Sequence, residues 1–224
     1  MTGCAQRDQR SPPSYQTARV LALAPVLNLS GSQDFDPLKM TDLIASEFLS
    51  FEGVAIVPVN LTLAELERRG KRAVETPEDA IALAKALRAD ATVVIAVTEY
   101  NPYYPPVIGL IMQWYEVRPS DGHQNSEPHV SKNSTDDVSE LSDYQCSGLR
   151  RQIQRVFNAA DEKTLAQVHA YAEQRGGQLS PYSWKKYVES QELYVRYCGW
   201  ELIRTMLRLE SIDRTATRPN EANS

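Results

Sequence analysis

Apolar positions in this chain alternate between short continuous runs and stretches at helical spacing. Val20 to Val26 is nearly unbroken, the pattern of a strand buried on both faces. "NLSGSQDFD" (28–36) follows as a loop, and Asp36 before Pro37 forms a helix start, with Asp as N-cap and Pro in the first position. Met40, Leu43, Ile44, Phe48 and Phe51 recur at helical spacing, which predicts an amphipathic helix ending near Gly53. "GVAIVPV" (53–59) is a second strand. Thr62 with Glu65 fits a capping box, predicting a short helix that stops at Gly70. Thr76-Pro77 opens another helix, with Ala80, Leu83, Ala84 and Leu87 as its buried stripe. "ATVVIAV" (91–97) is the most hydrophobic segment and the expected central strand.

Strand, helix, strand, two helices and strand is the order of an α/β domain with parallel pairing, because parallel neighbours need helical crossovers. The pattern then changes. "TEYNPYYPP" (98–106) leads to a long strand, "VIGLIMQWYEV" (107–117), and "QIQRVFN" (152–158) returns as its antiparallel partner. Between them, residues 118–148 are rich in Ser, Asp, Asn and Gly and read as a mobile insert at the tip of this hairpin. Asp161 caps a helix carrying Leu165, Val168 and Ala172, which Gly176-Gly177 ends. Trp184, Tyr187, Val188, Tyr194, Val195, Cys198, Leu202, Met206 and Leu209 mark one long terminal helix. The expected fold is therefore a single mixed-sheet α/β domain flanked by helices, with a long C-terminal helix. Its parts are a polar tether at 1–17, the α/β domain at 18–160, packing helices at 161–212 and a frayed tail at 213–224.

Charge and motif content narrow the function. With 24 Lys and Arg against 29 Asp and Glu, the net charge of −5 argues against general nucleic-acid binding. No apolar run reaches the roughly 18–20 residues that span a bilayer. Cys4, Cys146 and Cys198 are too few for a disulfide framework; whether Cys146 and Cys198 pair is not decided by spacing. His123, His129 and His169 are scattered and there is no C-x-x-C, so no zinc site is expected. Phosphate-binding glycine loops and the G-x-S-x-G nucleophile motif are missing, and Cys146 has no evident base. Asp34 and Asp36 resemble a metal pair only until the capping role of Asp36 is counted; Asp136 and Asp137 fall in the insert, where catalytic groups are hard to hold in place. No cofactor, metal or enzymatic activity is expected.

The most distinctive local composition is Tyr100, Pro102, Tyr103, Tyr104, Pro105 and Pro106. Such a cluster suits partner docking, because tyrosines supply rigid contact area with a polar tip. It also suits a plain strand-to-strand turn whose tyrosines cover the sheet end. Both readings stay open. The aromatic terminal helix (Trp184, Tyr187, Tyr194, Tyr197, Trp200) is explained by burial, or, where exposed, by an oligomer or partner surface.

Several phrases, taken together, resemble bacterial envelope lipoproteins. They are "ARVLALAPVLNLSGSQDFDPLKMTDLIASEF", "GVAIVPVN" and "DAIALAKALRADATVVIAVTEYNPYYPPVIGLIMQWYEV", with Pro25, Ala89-Asp90-Ala91, Thr98 and Tyr100 as the recurring features. The domain is similar to the amino-terminal domain of TolB, the periplasmic domain of the curli-secretion lipoprotein CsgG, and the penicillin-binding-protein activator LpoB. The resemblance covers roughly residues 18–160. It implies an α/β fold, an envelope address and a non-catalytic role. It also gives meaning to Thr2-Gly3-Cys4, which matches the lipobox form with Met1 in the leading place. On that reading Cys4 takes a diacylglycerol and becomes the mature amino terminus, with a leader encoded upstream; otherwise the three-residue match is chance. Ala5 after the cysteine lacks the Asp that retains enteric lipoproteins at the inner membrane, which favours the outer membrane. A pore-forming role is not implied, since the insert lacks the alternation of a membrane hairpin.

Two functions follow as expectations. The first is a lipid-anchored, non-enzymatic envelope protein, free of nucleic acid, which contacts other envelope proteins and can form homo-oligomers as an assembly, secretion or cell-wall accessory factor. The alternative is a soluble cytoplasmic α/β ligand-binding protein or an enzyme of unrecognised type. Its pocket would lie at the strand ends near Asn28–Ser32 and Thr98–Tyr100.

Overall fold

A computed structural model describes residues 19–117, 148–177 and 181–217, with side chains as far as 211. Cys4, Cys146, His123, His129, Asp136 and Asp137 lie outside the described residues, as do the tether at 1–17 and the insert apart from Gly148. The chain forms β1 (Arg19–Leu23), β2 (Leu27–Asn28), α1 (Pro37–Phe48), β3 (Val54–Ile56), α2 (Val59–Arg68), α3 (Pro77–Leu87), β4 (Ala91–Asn101), β5 (Val107–Glu116), β6 (Leu149–Asn158), α4 (Glu162–Gln174), α5 (Lys186–Glu189) and α6 (Gln191–Thr217). The sheet has six strands in the order β3-β1-β4-β5-β6, with β2 also on β4. Pairing is parallel from β3 through β1 and β2 to β4, then antiparallel through β5 to β6. This is the expected mixed α/β architecture, and β4 is the expected central strand, with Ala91 to Val97 all buried.

Strand alternation sorts the core into two layers. On one face Val93, Ile95 and Val97 of β4 and Leu110, Met112 and Trp114 of β5 pack with Ile44 and Phe48 of α1 and Tyr194, Cys198 and Ile203 of α6. On the other face Val94 and Tyr115 meet Leu66 of α2 and Ala80 and Leu83 of α3. A buried side chain of this kind contributes about 1.5–3 kcal/mol relative to exposure, and strands and helices share the largest of them: Trp114 and Phe157 on the sheet, Phe48, Tyr171, Tyr194 and Tyr197 on the helices.

Local departures from the expected pattern have physical reasons. Leu21 to Val26 are buried while Val20 is exposed, and the strand stops at Leu23 and resumes as β2 with one extra residue relative to β4. Pro25 has no N–H to offer, and the Val26 N–H instead donates to Thr41 Oγ1 at 2.9 Å on α1. Helix α1 ends at Phe48, short of Gly53, while its start is as expected: Asp36 Oδ1 accepts from the Leu38 and Lys39 N–H groups. Thr62 is not a cap. Helix α2 opens earlier, at Val59 after Pro58, and Thr62 is buried inside it with no hydrogen-bond partner for its hydroxyl among the described residues. The terminal helix is also broken rather than continuous: a 3₁₀ turn (Ser183–Lys185) and α5 precede an extended Ser190, and only then does α6 begin.

The Ala89-Asp90-Ala91 step joins neighbouring strands. Asp90 accepts the Val20 N–H on its carboxylate at 2.8 Å, gives its own N–H to Val20 O at 2.8 Å, and takes the Val117 N–H on its carbonyl at 3.0 Å. It thus ties the residue before β4 to β1 on one side and to the end of β5 on the other.

Candidate functional site

The two long strands β4 and β5 carry the Tyr/Pro turn at their far end. Asn101 starts it by accepting the Tyr103 N–H on its side chain at 3.2 Å. Pro106, which is buried, closes it with its carbonyl accepting the Ala159 N–H at 2.9 Å. The Tyr104–Pro105 bond is cis. Between these fixed points Tyr103 and Tyr104 stand 70% and 76% exposed, far more than any buried aromatic of the core. Pro105 is exposed beside them and Pro102 is half-buried.

Tyr100 behaves differently. Its ring meets Phe35 edge-on, with centroids 5.2 Å apart, and its hydroxyl accepts from Gln191 Nε2 at the start of α6. Burial pushes its phenol up from the ordinary value, so it remains protonated at neutral pH. Tyr103 meets the same loop from the turn: its hydroxyl donates to Asp34 Oδ2 at 3.4 Å between β2 and α1. The six residues singled out by composition therefore split into an anchor (Tyr100, Pro106), a frame (Pro102, Pro105) and two presented rings (Tyr103, Tyr104).

Beside Tyr100 lies a cleft of about 180 Å³ lined by Asp34, Asp36, Lys39, Leu43, Gln191 and Glu192, among others. Lys39 and Glu192 face each other across it at 2.5 Å, so the first turns of α1 and α6 are tied together. Their mutual hydrogen bond raises the Lys39 ammonium and lowers the Glu192 carboxyl relative to ordinary values. Asp36 is engaged with the α1 backbone. The alternative pocket position expected from the sequence coincides with this cleft at Tyr100 alone; Asn28–Ser32 instead close their own loop, through Asn28 and the Ser30 and Ser32 backbone.

Sequence reasoning missed Lys39, Gln191 and Glu192, because their meeting depends on where α6 begins. The signal was the helix start after Ser190, hidden by the apolar spacing that runs through Tyr187, Val188 and Tyr194. Cys198 is free, and burial pushes its thiol well up, the condition of an inert core cysteine. Among the described residues no group of three or more His, Cys, Asp or Glu is placed to hold a metal ion, and no helix is long and apolar enough to cross a membrane.

The fold belongs to the class of mixed α/β sheets flanked by helices on both faces. No protein-family model matches the chain, and no curated protein does. Among solved structures it is similar to lipoprotein GNA1162 from Neisseria meningitidis, at 13% identity over 72% of this chain and 99% of that one, with a TM-score of 0.44. It is also similar to the LpoB C-terminal domain from Salmonella enterica, at 13% identity over 63% of this chain and 84% of that one, with a TM-score of 0.43. PelC from Paraburkholderia phytofirmans, a dodecamer, matches at 15% identity over 47% of this chain and 67% of its own, with a TM-score of 0.30. At these identities the likeness is one of fold.

Proposed function

We propose that the chain is a non-enzymatic lipoprotein of the bacterial envelope, acting as an assembly, secretion or cell-wall accessory factor through protein contacts at the Tyr/Pro turn. The observation that carries the reading is the fixed presentation of Tyr103 and Tyr104. Two large exposed rings stand on a turn bounded by hydrogen bonds and prolines, at the end of a long strand pair. Ordering costs oppose binding, and a turn ordered beforehand avoids most of them. Tyrosine adds contact area with few rotamers to freeze. Thr2-Gly3-Cys4 supplies the anchor in this reading, and the polar residues 5–17 the spacer. Two acyl chains on Cys4 hold the domain at a membrane, the outer one being favoured by Ala5.

A photo-reactive phenylalanine analogue placed at Tyr103 or Tyr104 in the source cells tests the docking surface. The same envelope protein cross-linked from both positions, and none from the exposed Glu67 on α2, is the expected result. No cross-link from either tyrosine, or equal cross-linking from Glu67, contradicts it.

The ligand-binding reading has one observation in its favour, the cleft beside Tyr100. At about 180 Å³ the cleft is smaller than the roughly 300–1,000 Å³ of small-molecule sites. Its polar groups are already engaged: Lys39 with Glu192, Asp36 with α1, and Gln191 with Tyr100. Closed on itself, the cleft braces the turn.

A further inference from the structure

The sheet ends unequally. At one edge β3 is only Val54–Ile56; at the other, β6 runs from Leu149 to Asn158 with no described strand beyond it. The register of β5 against β6 shows which backbone groups of β6 face outward. Ala159 N–H donates to Pro106 O, so these two form a hydrogen-bonded pair, and hydrogen-bonded pairs recur at every second residue. Phe157, Arg155, Ile153 and Arg151 therefore bond to β5. Gln152, Gln154 and Val156 turn their N–H and C=O groups to the outer edge, and no backbone bond to them from another described element is present.

A long free edge is usually blunted by proline, by outward charges or by bulges. Here Arg151 to Asn158 contains no proline, and its single irregularity lies at the very start, around Arg150. Its charges are turned inward: Arg155 pairs with Glu201 at 2.9 Å, Arg151 with Glu210 at 3.2 Å, and Arg150 with Glu210 and Glu116. The side chains on the open face of the sheet are Gln152, Gln154 and Val156, the last 51% exposed.

We infer that β6 is a self-pairing edge, and that two copies of this chain join antiparallel along it with Gln154 on the two-fold axis. The register follows from the edge itself. With Gln154 opposite its own copy, Gln152 lies opposite Val156, and every outward N–H and C=O of the three residues finds a partner. Ile153 then faces Arg155, and Arg151 faces Phe157, so no arginine meets an arginine. Shifting the axis to Ile153 sets Arg151 against Arg155 and Val156 against the irregularity at Arg150; like charges directly opposite are destabilising. The contact is isologous and closes at two copies. Gln113 Nε2 already donates to Gln152 Oε1 at 2.7 Å, so the amide row on this face continues across the axis. This inference stands on a different surface from the Tyr/Pro turn and is independent of it.

Sedimentation of the full chain from micromolar to hundreds of micromolar tests it, alongside Gln154→Pro. Because the Gln154 N–H points away from β5, proline there removes no bond within the sheet. A concentration-dependent dimer that Gln154→Pro converts to monomer, with unchanged circular dichroism, is expected. Oxidative cross-linking keeps the question decidable if the proline variant misfolds. In a chain carrying Cys4→Ser and Cys146→Ser, Gln154→Cys brings two Cα atoms to about 5.5 Å, within disulfide range, whereas Gln152→Cys does not. A covalent dimer from the first and none from the second is expected. A monomer at all concentrations, a dimer that Gln154→Pro leaves intact, or equal cross-linking at both positions overturns the inference. So does a monomer whose Gln152, Gln154 and Val156 amides are protected from exchange, which would place another strand of the same chain on the edge.

Discussion

Gly109 occupies a position on β5 where no side chain fits. A Cβ there would come within 2.7 Å of Thr98 Oγ1 and 3.2 Å of the Glu99 backbone nitrogen, at the place where β4 and β5 slip register. Thr98 can rotate away but the Glu99 backbone cannot, so Gly109→Ala should destabilise by about 1–3 kcal/mol, the usual cost of overpacking. Urea unfolding reads this directly, and adding Thr98→Ala should recover only part of the loss. Glu47 is a different kind of single-residue dependence. It is fully buried on α1, and its carboxylate takes Arg175 at 2.5 Å, Arg196 at 3.0 Å and the Tyr171 hydroxyl at 3.1 Å. Burial, with the Glu47 charge beside it, pushes the Tyr171 phenol up, so it stays protonated and donates. Glu47→Gln should cost about 3 kcal/mol, the low end for breaking a buried pair, because both arginines keep partial contact with water. A change within 0.5 kcal/mol of zero in the same unfolding assay would contradict this account.

Elements form here largely as their ends dictate. Helix α3 has a complete capping box: Thr76 accepts the Asp79 N–H, and the Asp79 carboxylate accepts back from Thr76. Asp79 also takes Lys71 at 2.5 Å, and that hydrogen bond holds its carboxyl below the ordinary 3.8. In the unfolded chain this group titrates at its ordinary value, so its contribution is whole above about pH 4. It fades as pH falls from there through the lower folded value. Asp79→Asn should therefore destabilise more at pH 7 than near pH 2, as thermal melts at the two pH values would show. An equal effect at both would contradict the assignment. The ends marked by Asp36-Pro37 and Thr76-Pro77 were legible in the sequence because cap and proline are local signals. Thr62 misled because the same Ser/Thr-x-x-Glu spacing also arises inside a helix, and there Pro58 set the start one turn earlier. The break at Ser190 was illegible for the opposite reason. Apolar residues keep helical spacing on both sides of it, and only tertiary contacts, Gln191 to Tyr100 and Glu192 to Lys39, mark where α6 begins. Tyr100 and Tyr103 could be singled out by composition; their division into anchor and presented ring required the fold.

Across the whole molecule, α6 joins the hairpin to the parallel half of the sheet. Its Glu201 and Glu210, both buried, hold Arg155, Arg150 and Arg151 of β6, while its apolar side lies on α1 and the sheet. Gly199 lets α1 approach, since a Cβ there would sit 3.0 Å from Ile44. One end of this body presents the tyrosines, and one edge presents β6. Intact mass spectrometry of the native protein, purified from the membrane fraction of its source cells, tests the proposed lipid-anchored address most directly. A mature chain beginning at Cys4 and carrying a diacylglycerol is the expected result. An unmodified chain beginning at Met1 or Thr2 and recovered from the soluble fraction would contradict it.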